Sequence, residues 1–187
     1  MQTPYFFGYG SLVNRQTHDY PDAKKAQLQG WRRVWRQTTL RPRPFLSIEP
    51  CATTIITGLI AQVPNHDWRA LDQREAAYDR QLVTSVRSTS AEVAAPISTY
   101  CMPAEKYPVP DQPHAILLSY LDVVVQGYLQ EFGPSGAEDF FATTSGWHAP
   151  IRNDRHAPIY PRHQTLTASE TGFVDRHLAK LGCQILV

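Results

Sequence analysis

Hydrophobic and polar positions change period along this chain, and the change separates a strand-like first half from a helix-like second half. Tyr5–Tyr9 is an aromatic run stopped by glycine, which predicts a short first strand. From Gly30, the stretch GWRRVWRQTTL alternates aromatic and basic residues and predicts a strand with Trp31, Arg33 and Trp35 on one side. Thr53–Val63, reading TTIITGLIAQV, is the strongest strand candidate, and Gly58 in its middle marks a bulge or a close approach. Strand-like patterning returns at Tyr78–Val86, Ile97–Tyr100 and Tyr107–Val109. Between these runs, Asn65 or Asp67 is placed to cap a short helix through DWRALDQREAAY.

From His114 the period lengthens. HAILLSYLDVVVQGYLQEFG predicts a long, almost wholly apolar helix that ends at Gly133, and Ser135 with Glu138 forms a capping box for another short helix. Thr167 and Glu170 repeat that signature ahead of Phe173, Val174, His177, Leu178 and Leu181 on one helical face. Strands followed by helices predict an α+β arrangement, and 187 residues suit a single domain spanning residues 1–187. Arg41–Pro44, reading RPRP, is expected to turn between strands. Trp147–Arg162 is expected to be an irregular but ordered loop.

Composition narrows the function classes. The net charge is +1, so no global field favours nucleic acid or an anionic membrane surface, and a small-molecule partner is expected instead. The five arginines of Trp31–Arg43 alternate with core-type residues and make no extended basic footprint. No run of about 18 apolar residues is present, and the N-terminus lacks the pattern of a secretory signal, so the expected location is cytoplasmic. Cys51, Cys101 and Cys183 are widely spaced and expected to be buried, inert thiols. His148, His156 and His163 cluster without paired ligand spacing, so no metal is expected.

Chemistry has two candidate places. Glycines on both sides of Tyr9 allow a positive φ or a close approach to a ligand, and outward N–H groups with the Ser11 hydroxyl can then receive a carboxylate or carbonyl oxygen. The plain alternative is a strand-to-helix turn. The phosphate-loop, dinucleotide and nucleophile-elbow patterns all fail here, the last because Ser11 follows Gly10 directly. The second place is Glu75, four residues after Leu71 and seven after Trp68, hence on their apolar face if the helix runs through it. Desolvation there raises a carboxyl pKa toward the range useful for proton transfer. The plain alternative is a helix-end glutamate paired with Arg74 or Arg80.

These residues resemble the γ-glutamylcyclotransferase-like superfamily. The resemblance rests on FFGYGSL at the N-terminus, the acid within LDQREAAYDR, and SYLDVVVQGY in the long helix. It implies a small mixed β-barrel with surrounding helices and a catalytic acid at Glu75. The substrate site it implies is built from Phe6, Phe7, Gly8, Tyr9, Gly10, Ser11 and Leu12, with Tyr78 and Tyr120 as further walls. The implied reaction closes a γ-glutamyl group to 5-oxoproline without a cofactor, in a monomer or a homodimer. Ala76 and Ala77 stand where many relatives place a glycine, and Trp147–Arg162 matches nothing in the family pattern. A non-catalytic binding module on the same fold and a Ser11-based hydrolase are the alternatives, the latter needing a histidine such as His148 or His156 beside the loop.

Overall fold

A computed structural model describes residues 2–88, 93 and 95–186 of the chain. It is a mixed α+β structure in which a seven-stranded sheet curls into a half-barrel against three helices. The strands and helices are, in chain order, β1 (Tyr5–Gly8), β2 (Lys24–Arg36), β3 (Phe45–Gln62), α1 (Arg69–Arg74), β4 (Asp79–Val83), β5 (Val86–Ser88), β6 (Ile97–Cys101), β7 (Ile116–Leu117), α2 (Leu118–Ala142), β8 (Thr144–Ser145), β9 (Ile151–Arg152), α3 (Ala168–Lys180) and β10 (Ile185–Leu186). The main sheet runs β4-β6-β1-β3-β2-β5, with β8 added to β2.

β1 lies inside this sheet, antiparallel to β3 and parallel to β6, and all its residues are buried. Burial on both faces is why it reads as a continuous aromatic run rather than as an alternation. Alternation still decides direction: Tyr5 and Phe7 enter the main core with Leu121, Val124 and Tyr128 of α2, whereas Phe6 enters a second cluster with Leu71 and Tyr100. Because α2 is packed on many sides, its apolar residues show little face preference.

β2 and β3 begin earlier than their patterns suggest and pair along most of their length. Their register shifts between Gln29 and Trp31, where Gly30 takes a φ of 83° and so supplies the bulge that bends the ribbon. Gly58 is a close approach, as expected: a Cβ there would lie 2.3 Å from the carbonyl oxygen of Gly8 and 2.8 Å from the Phe7 ring. Tyr107–Val109 does not form a strand. Pro108 and Pro110 have no N–H to give to a ladder, and the Pro108 carbonyl instead accepts from the Thr39 N–H at 2.9 Å.

The long helix starts later than expected and breaks at the expected glycine, with a second helical run after it. Ile116 and Leu117 pair with β9 before the helix begins, and Gly133 (φ 70°) breaks it ahead of Pro134, after which helix resumes to Ala142. At α3 the expected capping box is present: the Thr167 hydroxyl accepts from the Glu170 N–H at 3.2 Å, and the Glu170 carboxylate accepts from the Thr167 N–H at 2.7 Å. Of the three thiols only Cys101 is buried. Cys51 within β3 and Cys183 beyond α3 are partly exposed, because each sits at the margin of the packed core rather than inside it. No helix is long and apolar enough to cross a membrane among the described residues.

Candidate active site

The segment from Gly8 to Leu12 leaves β1 and enters a short 3-10 turn at Ser11–Val13. Neither Gly8 nor Gly10 takes a positive φ, so the left-handed backbone expected of glycine at this loop does not occur. Close approach does. A Cβ on Gly8 would lie 2.6 Å from the Leu12 Cβ, and one on Gly10 would lie 2.9 Å from the Tyr120 hydroxyl and 3.3 Å from Leu46.

The loop is held from behind. The Tyr9 carbonyl accepts from Arg33 Nε at 3.2 Å and lies 2.9 Å from the Tyr128 hydroxyl. Arg33 is fully buried, with Nη1 donating to the Thr143 hydroxyl at 2.6 Å and Nη2 donating to Tyr128 Oη at 2.6 Å and to the Thr57 carbonyl. It lies over the rings of Tyr128 and Phe140, which supply quadrupole contacts to a cation that has no ion-paired carboxylate among the described residues. Asn14, also buried, donates to the Val123 carbonyl and Gln126 Oε1 of α2, each at 3.0 Å. Gly127 makes room for it: a Cβ there would lie 2.7 Å from the Asn14 nitrogen.

Glu75 departs from the expected helix. α1 stops at Arg74, and Glu75 is the residue that caps it, with φ −102° and its N–H donating to the Leu71 carbonyl. Its burial therefore comes from the turn after the helix rather than from a shared helical face with Trp68. Of its two candidate partners, Arg74 is the one present, with Nε 3.3 Å from Glu75 Oε1, while Arg80 pairs with Asp72 and covers the Trp68 ring. Arg74 is shared, since its Nη groups donate to the Thr17 carbonyl at 3.0 Å and to Ser11 Oγ at 3.2 Å. Burial pushes the Glu75 carboxyl above its ordinary value, and the positive charges of Arg74, Arg162 and Arg41 oppose that rise without cancelling it.

This shift has a measurable sign. Between the unfolded value near 4.5 and the raised folded value, the folded chain holds a proton that the unfolded chain has lost. Stability from this group is therefore present below 4.5 and declines as pH rises through the window. Denaturant titrations of the wild type and Glu75→Gln across pH are expected to show the wild type losing stability relative to the variant over that window. A constant difference would mean that Glu75 titrates as an ordinary surface acid.

Two adjoining spaces meet at Glu75. The inner recess, about 30 Å³, is lined by Phe7, Gly8, Tyr9, Gly10, Ser11 and Leu12 from the loop, by Leu46 and Tyr100, and by Glu75, Tyr78 and Tyr120. The outer cavity, about 180 Å³, shares Ser11, Glu75, Tyr78 and Tyr120 with the recess and adds Trp35, Tyr160 and four arginines. Phe6 is the exception among the residues expected at the site, because its ring packs edge-on against Tyr20 and His18 on the other face of β1. The tyrosines are themselves organised: Tyr9 Oη donates to the Tyr100 carbonyl at 2.6 Å, Tyr78 Oη to the Leu46 carbonyl at 2.9 Å. Burial raises the pKa of all three of Tyr9, Tyr78 and Tyr120, and the nearby Glu75 carboxylate adds to the effect. Among the described residues no histidine lines either space, and Ser11 Oγ is engaged by Arg74.

Sequence reasoning missed the outer walls. One is the RPRP turn, which contributes Arg41, Arg43 and Pro44; the other is Trp147–Arg162, which contributes Tyr160, Pro161 and Arg162. The latter is pinned to α2 by Asp154, which accepts from the Ser119 N–H at 2.8 Å and the Ser119 hydroxyl at 2.6 Å, and by Arg155, which grips Asp122 at 2.7 and 2.8 Å. Tyr160 then stands edge-on to Tyr120, ring centroids 5.0 Å apart. The available signal was the concentration of arginine, tyrosine and proline in a segment too apolar to be disordered.

A family model described as gamma-glutamyl cyclotransferase, AIG2-like, matches residues 6–119. No curated protein matches the chain. Among solved structures, one described as a gamma-glutamyl cyclotransferase superposes with a TM-score of 0.59 at 14% identity, over 94% of this chain and 99% of that one. The protein loc79017 from Homo sapiens superposes with a TM-score of 0.59 at 15% identity, over 91% of this chain and 97% of that one. YkqA from Bacillus subtilis gives 0.58 at 17% identity over 78% of this chain, which spans only 57% of YkqA. At these identities the likeness is one of fold.

Proposed function

This chain belongs to the gamma-glutamyl cyclotransferase, AIG2-like family, and from that premise we propose that it is an enzyme that cyclises the γ-glutamyl group of a small peptide or amine to 5-oxoproline and releases the amine. The observation that carries the proposal is a largely buried carboxyl, its pKa raised by that burial, at the junction of two spaces, with the glycine loop on one side and an open cavity on the other.

The glutamyl head sits against the loop, and the rest of the substrate extends into the outer cavity. Glu75 takes a proton from the α-ammonium group, and the freed amine attacks the γ-carbonyl carbon, forming the new C–N bond of a five-membered ring. Peptide groups around Gly10 and Ser11 receive the oxygen on which negative charge develops. Glu75 returns its proton to the departing nitrogen as the original C–N bond breaks, and the second proton that the ring nitrogen loses on becoming an amide goes to the released amine, so the carboxylate is regenerated and no cofactor is consumed. Holding amine and carbonyl together contributes up to about 7–11 kcal/mol in favourable intramolecular reactions. Tyr78 and Tyr120, both neutral because burial raises their pKa, wall the reacting atoms from solvent without adding charge.

The test uses a panel of γ-glutamyl peptides and amines in ¹⁸O-labelled water, read by mass spectrometry. Unlabelled 5-oxoproline is expected from substrates with a free α-amine, and no product from their N-acetylated counterparts, because acetylation removes the nucleophile. Labelled glutamate as the first product would instead mean hydrolysis and would remove cyclisation from the account.

A further inference from the structure

The outer cavity carries four arginines, Arg41, Arg43, Arg74 and Arg162, against a single carboxylate, Glu75. Arg74 is accounted for by Glu75, Ser11 and Thr17. The remaining three have no acidic side chain bonded to them among the described residues. Arg41 is the most telling. Its guanidinium carbon lies over the Phe45 ring, 3.4 Å from the centroid. Its Nη2 makes only a long contact of 3.5 Å to the Pro44 carbonyl, and its Nε is buried with no partner among the described residues. Arg41 is partly withdrawn from water, and a guanidinium so placed without an anion carries a desolvation cost that an anion arriving beside it offsets. Burial lowers the Arg41 pKa in agreement with this placement.

These cations reach one cavity from two separate segments. Arg41 and Arg43 come from one tight turn, closed by the Arg43 N–H donating to the Arg41 carbonyl at 2.8 Å, with Pro42 and Pro44 restricting its backbone. Arg162 comes from the segment that Asp154 and Arg155 pin to α2. The inner recess contains no arginine, so the excess positive charge faces the part of the substrate that leaves rather than the loop. A single carboxylate on that part would answer one of three guanidinium groups.

We propose that Arg41, Arg43 and Arg162 form an anion subsite in the outer cavity, and that the amine released by this enzyme carries a multiply charged acidic group, a phosphate or a pair of carboxylates. The proposal rests on the cyclisation reading for its placement of the leaving amine. Arginine suits such groups because its planar fork gives paired hydrogen bonds to phosphate or carboxylate oxygens.

The experiment compares γ-glutamylalanine amide, γ-glutamylalanine, γ-glutamylaspartate and the γ-glutamyl amide of 2-aminoethyl phosphate as substrates of the full chain. In parallel, calorimetry measures binding of the N-acetylated forms of the first and last compounds, which lack the nucleophile. The expected result is a kcat/KM at least about tenfold higher for the two dianionic leaving groups than for the neutral one, equivalent to about 1.4 kcal/mol. Rising ionic strength should narrow that gap, and the double variant Arg43→Gln/Arg162→Gln should flatten the series. Equal turnover across the series, with equal binding of the two N-acetylated probes, overturns the subsite and leaves cyclisation standing. Charge-selective, arginine-dependent binding without any 5-oxoproline keeps the subsite and overturns cyclisation. Neither turnover nor charge-selective binding overturns both.

Discussion

Glu75→Gln is expected to keep the fold and substrate affinity while lowering kcat by about 10²–10⁴-fold, the range that positioned proton transfer contributes. The amide has the carboxylate's shape and can still accept from Arg74, which lies 3.3 Å away in the wild type. The backbone links that place residue 75, its N–H to the Leu71 carbonyl at 2.9 Å and its carbonyl to the Tyr78 N–H at 2.8 Å, do not involve the side chain. What disappears is the ability to take a proton from the α-ammonium and give it to the leaving nitrogen. Steady-state kinetics should therefore show the loss in kcat with little change in KM. A variant within about tenfold of wild-type kcat would remove Glu75 from the proton path.

Gly10→Val is expected to act on binding and rate together. The reason is space: a Cβ at this position would stand 2.9 Å from the Tyr120 hydroxyl and 3.3 Å from Leu46. Tyr120 has little freedom to yield, because its ring packs edge-on against both Trp35 and Tyr160. Overpacking of a tight site costs about 1–3 kcal/mol, which corresponds to about 5–150-fold in affinity for a γ-glutamyl ligand. Gly10→Ala, with the same Cβ and no branches, should show a smaller loss in the same direction. Wild-type affinity in a folded Gly10→Val protein would reduce the loop to a plain connection between β1 and the 3-10 turn at Ser11–Val13.

The sheet and the terminal helix were legible because their side chains repeat at the period of their own backbone. Thr53–Val63 is β-branched along much of its length and all but its last residue lies in β3, and the Thr167–Glu170 box caps α3 as its spacing requires. Glu75 was found by its neighbours in sequence, yet its burial was assigned to a helix face that stops one residue short. Local pattern located the desolvated acid, but a helix end depends on which carbonyl the next N–H can reach, and that is settled by packing. Phe6 shows the same limit at strand spacing. Within an aromatic run buried on both faces, nothing in the residue types distinguishes Phe7, which reaches the recess, from Phe6, which faces away.

The amino-acid sequence by itself determined the class of fold, the glycine loop after the first strand and the acid that could accompany it, since each is written in neighbouring residues through periodicity, capping and the small size of glycine. Only the tertiary structure decided what surrounds them. Arg33 and Tyr128 meet at the Tyr9 carbonyl from positions far apart in the chain, and Arg41, Arg43 and Arg162 converge on one cavity from two irregular segments. Such meetings depend on how the sheet curls and where α2 crosses it, and long-range distances of that kind leave no period in the sequence. For the same reason the two segments without regular patterning, RPRP and Trp147–Arg162, carry the charge of the outer cavity: their conformation is set by turns and contacts with α2.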